Sequence, residues 1–242
     1  MIKSEGMNVE YVDHMGTDLS VVNAARVSFE KESWWEEEEF NKLKEPDSKL
    51  IRYLAKHNHW TPFGHTAVTL RIRGPIAIAR QLGKHQTGLV WNEVSRRYVK
   101  SEPSLYKPEG WRGVAENVKQ GSDENNILDL DQFTSRGTPV SSPEDLWGDT
   151  LDDSVEVALE IAVSAYRGLI KAGVCPEQAR FVLPQCMNTE WFWTGNLASF
   201  SRVCNLRLDK HTQKETRDIA QDIAGVIEPL FPVSWGQLVN FD

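Results

Sequence analysis

Cysteine is scarce in this chain. Cys175, Cys186 and Cys204 are three in 242 residues, an odd number at spacings unlike Cys-x-x-Cys. That excludes a disulfide framework and points to a reducing, cytoplasmic setting. Long apolar runs are also missing. No stretch approaches the roughly 18–20 residues a membrane helix needs, and residues 1–20 carry no signal-peptide pattern. No segment repeats another. What is present, 40% hydrophobic and 10% aromatic residues, fits a soluble globular chain long enough to bury a substantial core.

Positive charge is scarce overall and concentrated locally. The net charge is -8, yet residues 71–100 hold seven Lys or Arg against a single acid, Glu93. The opposite imbalance marks residues 120–160, where eleven acids face only Arg136. The acidic stretch is therefore no part of an anion site. A basic island in an acidic chain suits a small phosphorylated ligand. A basic strand and helix that simply solvate the surface would give the same charge count. The residue types favour a ligand, because Gln81, His85, Asn92, Glu93, Ser95, Arg96 and Arg97 offer donors, acceptors and a bidentate fork within a short span.

Hydrophobic spacing predicts mixed structure with helices dominant. Residues 9–13 read as a strand, and Asp18 is placed to cap a helix over 19–28. Asp47 is placed to cap another over 48–57, with Leu50, Ile51 and Leu54 on one face. The acidic run Trp34 to Glu39 reads as a solvated helix or loop. Val68, Leu70 and Ile72 alternate with polar residues, as in a half-buried strand. Pro75 opens a helix running to about Leu82. Residues 117–143 read as a long polar loop or insertion. Leu151 to Lys171 forms an amphipathic helix closed by Gly173, followed by helices near 196–205 and 212–226. The expectation is one α+β domain, 1–242, with a small, mostly antiparallel sheet.

Two segments carry the chemistry: HNHWTPFGH at 57–65, and RQLGKHQTGLVWNEVSRRYVK at 80–100. With LSVVNAARVSF (19–29), ARFVLP (179–184), FWTGN (192–196) and NLRLDKHTQ (205–213), they form ordered blocks. These blocks resemble the flavin-dependent thymidylate synthases, whose core motif reads RHR, seven residues, then Ser. The resemblance covers most of the chain outside about 101–145 and implies the thymidylate-synthase-complementing-protein-like fold. It also implies reductive methylation of deoxyuridylate (dUMP) at C5. The one-carbon unit would come from 5,10-methylenetetrahydrofolate and the electrons from NADPH through FAD. The family implies a homotetramer with shared active sites, and neither a nucleic-acid nor a membrane partner.

By the same resemblance, dUMP would be held by Gln81, Lys84, Glu93, Ser95, Arg96, Arg97, Arg180 and Arg207. Arg207 would stabilise negative charge at the pyrimidine. FAD would be held by His59, Thr61, Lys84, His85, Gln86, Glu93, Asn196 and Arg202. Before Pro62 the backbone should be extended, holding His59 on a rigid turn. The three histidines 57, 59 and 65 lack ligand-spaced partners, so no metal is expected. Pro184-Gln185-Cys186 looks superficially like a cysteine nucleophile but has no base beside it in sequence. Trp191 and Trp193 read as core or interface aromatics.

Lys84-His85-Gln86 departs from RHR, and eight residues rather than seven separate it from Ser95. The extra residue is expected to bulge within Gly88 to Trp91, and Arg96 to replace the charge missing at Gln86. The variant triplet resembles virus-encoded members, which would place the enzyme in a host cytoplasm. Two other readings stand: a catalytically impaired homologue that binds nucleotide, and a helical interaction protein with a basic docking patch.

Overall fold

The computed structural model describes residues 3–36, 42–116, 121–140 and 150–239. It is α+β, and the chain packs as two compact units interleaved along the sequence. The first comprises 1–7, 74–79 and 94–189, and the second 8–73, 80–93 and 190–242.

The second unit is built on a sheet of order β2-β3-β8-β4, from β2 (Asn8–Met15), β3 (Ala67–Pro75), β8 (Asn188–Gly195) and β4 (Leu89–Glu93). The alternation read from β3 holds: Val68, Leu70 and Ile72 are all fully buried. Each such side chain contributes about 1.5–3 kcal/mol of burial. Around the sheet stand α1 (Asp18–Arg26), α2 (Glu45–Lys56), α6 (Leu197–Arg207), α7 (Lys214–Ile227) and α8 (Pro232–Leu238). Helix α3 (Ile76–Leu82) follows β3 directly, with Pro75 the residue before it.

Two expected caps do other work. Asp18 is the first residue of α1 and is buried. Its carboxylate accepts from Val233 N–H and Ser234 N–H, both at 2.9 Å, and so caps α8. The cap of α1 is Thr17, whose N–H donates to Ser20 Oγ at 3.0 Å. Asp47 lies inside α2, where it accepts from Arg26 Nε at 3.0 Å and from Ser33 Oγ at 2.9 Å. A buried carboxylate needs partners more than a helix end needs a cap, and tertiary partners won in both cases. Of the run 34–39, Trp34 to Glu36 has no regular structure and the rest lies outside the described residues.

In the first unit, β1 (Lys3–Ser4) pairs in parallel with β5 (Ser104–Leu105). Helix α4 spans Leu151–Lys171, as its periodicity predicts. Thr150 Oγ1 accepts from Asp153 N–H at its start. At its end Gly173, with φ +89°, donates to Ile170 O while Val174 N–H donates to Leu169 O. This is a Schellman closure. Leu105, Val163 and Met187 form a small core, with Cys186 packed against it. The polar stretch read as a loop contains a strand, β7 (Ser122–Leu128), which pairs antiparallel with β6 (Trp111–Val114) just before that stretch. The sequence Ser-Asp-Glu-Asn-Asn is poor in strand formers. Pairing with Trp111–Val114, not propensity, makes it a strand. Residues 117–120 and 141–143 of that stretch lie outside the described residues. Helix α5 (Pro176–Ala179) completes this unit.

Candidate active site

Helix α6 organises the functional residues of the second unit. Its last residue, Arg207, donates from Nε to His85 Nε2 at 3.0 Å. A guanidinium has no acceptor, so Nε2 carries no proton and the ring is neutral with its hydrogen on Nδ1. Burial, and then the charge of Arg207, hold His85 below its ordinary value. Burial also draws Arg207 down from the usual guanidinium range. Asp209, two residues on, takes the backbone N–H and ring Nδ1 of His211.

One and a half turns earlier, Arg202 grips the same loop. Its Nη2 donates to Thr87 O at 3.1 Å and Ser199 Oγ at 3.2 Å. Asn196 caps α6, its Oδ1 accepting from Ser199 N–H and Ser199 Oγ at 2.9 Å each. Gly88 closes against this group with φ +73°, and a Cβ there would fall 2.2 Å from Ser199 Oγ. Only glycine satisfies both conditions. The loop from Lys84 to Gly88 is thus fastened through His85 and Thr87, with Gln86 exposed between them and Lys84 exposed just before. Within the expected range, Gly88 to Trp91, no bulge interrupts Leu89 to Trp91, and Gly88, at φ +73°, is the irregular position. From Leu89↔Gly195 to Glu93↔Trp191 the register of β4 on β8 is unbroken, so the extra residue is accommodated outside β4.

Trp91 stacks on Trp191 at 4.5 Å and meets Trp193 edge-on at 5.4 Å. Trp191 and Trp193 are buried, as expected of core aromatics, and they support the strand that ends in Glu93. Glu93 accepts from Trp91 Nε1 at 3.4 Å. At the other end of the helix that carries Gln81, the side chain of Gln81 donates to Gln213 Oε1 at 3.4 Å.

His59 and Thr61 lie exposed beyond α2, with the Tyr53 ring 5.8 Å from His59 and edge-on to it. The backbone before Pro62 is not extended. Thr61 is helical, at φ -59° and ψ -40°, because it opens a 3-10 turn in which Gly64 N–H bonds to Trp60 O and Thr61 O. Among the described residues no group of three or more potential ligands could hold a metal ion, and no helix is long and apolar enough to cross a membrane.

The first unit carries Ser95, Arg96, Arg97 and Arg180. Arg97 Nε donates to Ser95 Oγ at 3.3 Å, and its guanidinium lies 5.0 Å over the Tyr98 ring, exposed to solvent. Arg180 Nε donates to Glu177 O at 3.3 Å. Arg96 has partners within its own unit. It donates to Ser101 O and Glu102 O and sits 5.9 Å over the Tyr166 ring, committed to bracing its own segment. Cys186 is half-buried, and burial pushes its thiol up. A protonated thiol in an apolar setting is a poor nucleophile. Ser199, Thr87, Gln213 and Glu215 went unnoticed in the sequence. Gln213 stands inside the NLRLDKHTQ block, but nothing in spacing singles it out.

The whole chain has relatives. The sequence model of the family described as "Thymidylate synthase complementing protein" matches residues 10–233. A flavin-dependent thymidylate synthase of Thermosipho africanus is 33% identical over 230 residues, covering 95% of this chain and 90% of that protein. One from Thermus thermophilus is 34% identical over 227 residues, covering 94% and 73%. Among solved structures, the UMP/dUMP methylase PolB from Streptomyces cacaoi, bound with 5-Br dUMP, superposes with a TM-score of 0.74. It is 28% identical and the match covers 98% of this chain and 96% of that one. With the family matched from strand β2 through helix α8 and the ordered blocks in place, this chain belongs to the flavin-dependent thymidylate synthases, the thymidylate synthase complementing protein family of methyltransferases.

Proposed function

We propose that this enzyme methylates dUMP at C5, with 5,10-methylenetetrahydrofolate as carbon donor and NADPH as reductant through FAD. The observation that carries the reading is the bond between His85 of the variant triplet and Arg207 of the NLRLD block, 122 residues apart. Two blocks far apart in the sequence meet in one cluster. FAD, when bound, supplies the redox chemistry.

The protein groups orient and polarise. Arg207 faces the pyrimidine and stabilises charge that develops at N3 and O4 as C5 becomes nucleophilic. His85 holds Arg207 by accepting from Nε, which leaves the two terminal nitrogens of the guanidinium for substrate. Gln81, Lys84 and Glu93 of the second unit are assigned to the nucleotide. His59, Thr61, Lys84, His85, Gln86, Glu93 and Asn196 are assigned to the flavin. Their donors fit an anionic aromatic cofactor: exposed Lys84, the Nδ1–H of His85, and His59 beside the Tyr53 ring. Arg202 is assigned to holding the loop against α6. In the first unit, Ser95, Arg97 and Arg180 are assigned to phosphate. Arg97 is supported by its exposure and by a shared hydroxyl.

We assign 1–242 to one functional domain, supported by a family match that runs through both units. A homotetramer is supported by exposed apolar side chains, among them Phe29, Phe181 and Tyr98. A cytoplasmic location is supported by three free thiols.

The test is the absorbance of the purified protein and product formation with FAD, NADPH and 5,10-methylenetetrahydrofolate saturating. A flavin spectrum with thymidylate formed from dUMP is the expected result. UMP is run in parallel, because the PolB neighbour is a UMP/dUMP methylase. A flavin-bound protein that binds dUMP without product would establish the impaired homologue instead.

A further inference from the structure

One buried acceptor near the site has no donor. Gln81 Oε1 is sealed from solvent, and among the described residues it accepts no hydrogen bond. Its own amide nitrogen is occupied, donating to Gln213 Oε1 at 3.4 Å. Gln213 in turn donates from Nε2 to Glu215 Oε2 at 3.0 Å, and Glu215 is buried at the start of α7.

The polarity of this chain is fixed from one end. A carboxylate oxygen offers only lone pairs, so Gln213 must turn its NH2 to Glu215 and its oxygen to Gln81. Gln81 must then turn its NH2 to Gln213, and its oxygen faces the other way. Reversing the Gln81 amide would set oxygen against oxygen at Gln213. Reversing both would set oxygen against the carboxylate. An acceptor left unmet inside a protein is costly, and the cost is recovered when a ligand brings the donor.

We propose that Glu215 and Gln213 are positioning residues that lock the Gln81 amide so that it presents an acceptor to an N–H or O–H donor of the nucleotide. This rests on the assignment of Gln81 to dUMP. The donors dUMP can bring are the uracil N3–H and the 3′-hydroxyl. Arg207 is a donor and cannot meet either hydrogen, so each of them needs an acceptor such as the Gln81 oxygen. Glu215 thereby reads ligand chemistry through two amides without touching the ligand.

The experiment measures dissociation constants of the flavin-loaded enzyme for dUMP, N3-methyl-dUMP and 2′,3′-dideoxyuridine monophosphate. The variants are Gln213→Leu, Glu215→Gln and the swap Gln213→Glu with Glu215→Gln. In the wild type one analogue binds about ten-fold more weakly than dUMP, and which one identifies the donor. In Gln213→Leu the amide can turn over, and that ratio falls toward one because dUMP alone loses the contact. Glu215→Gln, which can either donate or accept, falls between. The swap restores the polarity, since the glutamine at 215 donates to a carboxylate at 213 that accepts from Gln81, and the ratio recovers. A purely structural role would weaken all three ligands alike and leave the ratio unchanged in every variant. That result, or a wild type indifferent to both analogues, overturns the proposal. A wild type that binds flavin but none of the three nucleotides overturns the functional assignment of Gln81, and this proposal with it.

Discussion

The candidate-site arginines of the two units are held in different ways. In the second unit Arg202 and Arg207 are fastened to a loop that contains none of their sequence neighbours, through Thr87 O and the His85 ring. In the first unit Arg96, Arg97 and Arg180 hold only to residues within six positions of themselves, Tyr166 excepted. Long-range fastening fixes a guanidinium before a ligand arrives, which is what transition-state stabilisation requires. Local fastening leaves an exposed side chain such as Arg97 able to follow a phosphate. The contrast suggests that chemistry is assigned to the second unit and anchoring to the first.

Substitutions can break that contrast. The largest effect is expected at Arg207. Arg207→Ala should lower turnover by about 10²–10³-fold with flavin retained, as for loss of one fixed donor at a developing charge. Arg207→Lys should rescue poorly, because an ammonium cannot bond His85 and present a fork at once. Single-turnover assays on the flavin-loaded variants check both. Arg97→Ala comes next. It should weaken dUMP binding by about ten- to a hundred-fold while leaving turnover at saturating dUMP near normal, which a KM-against-kcat comparison would resolve.

Arg96→Ala should behave differently from its neighbour. Its contacts are two carbonyls and the Tyr166 ring, so the expected cost is about 1–2 kcal/mol of stability by denaturant titration. Nucleotide affinity should change by less than about two-fold. A large affinity loss would restore Arg96 to the anion. The smallest effect is expected at Cys186→Ser. The thiol packs against the core around Met187 and is held protonated, so activity should survive the change. Complete loss in a folded protein would revive a nucleophilic role.

Much of this was legible in the sequence. The β3 alternation and the α4 periodicity are local signals, and both elements appear where they were expected. The residues of the Arg207 cluster lie in blocks whose order is itself informative. What was hidden depends on contacts distant in sequence. Asp18 and Asp47 look like caps because a cap is the nearest use for an acid before a helix, yet their partners lie in α8 and in the α1 region. For Arg96, sequence gives the sign of the charge and not its direction. Strand β7 could not be read from a polar stretch that pairs against its propensity. Gln213 and Glu215 gain their meaning only from Gln81, more than a hundred residues away.

The pre-set cluster depends on a neutral His85. Its folded-state pKa lies below the ordinary 6.5, through burial first and the charge of Arg207 second. The unfolded chain therefore binds the proton more readily. Stability from this contact is fully present above about pH 6.5 and is lost as pH falls from there through the lower folded-state value. The most direct measurement is 15N–1H correlation spectroscopy of histidine-labelled protein across that range. It is read beside His85→Asn to assign the ring. The expected result at neutral pH is a protonated Nδ1 and a bare Nε2, with the ring still neutral below pH 6.5 and the bare nitrogen perturbed in Arg207→Ala. A doubly protonated ring at neutral pH, or a proton on Nε2, would contradict the account, because Arg207 would then have nothing at His85 to hold it.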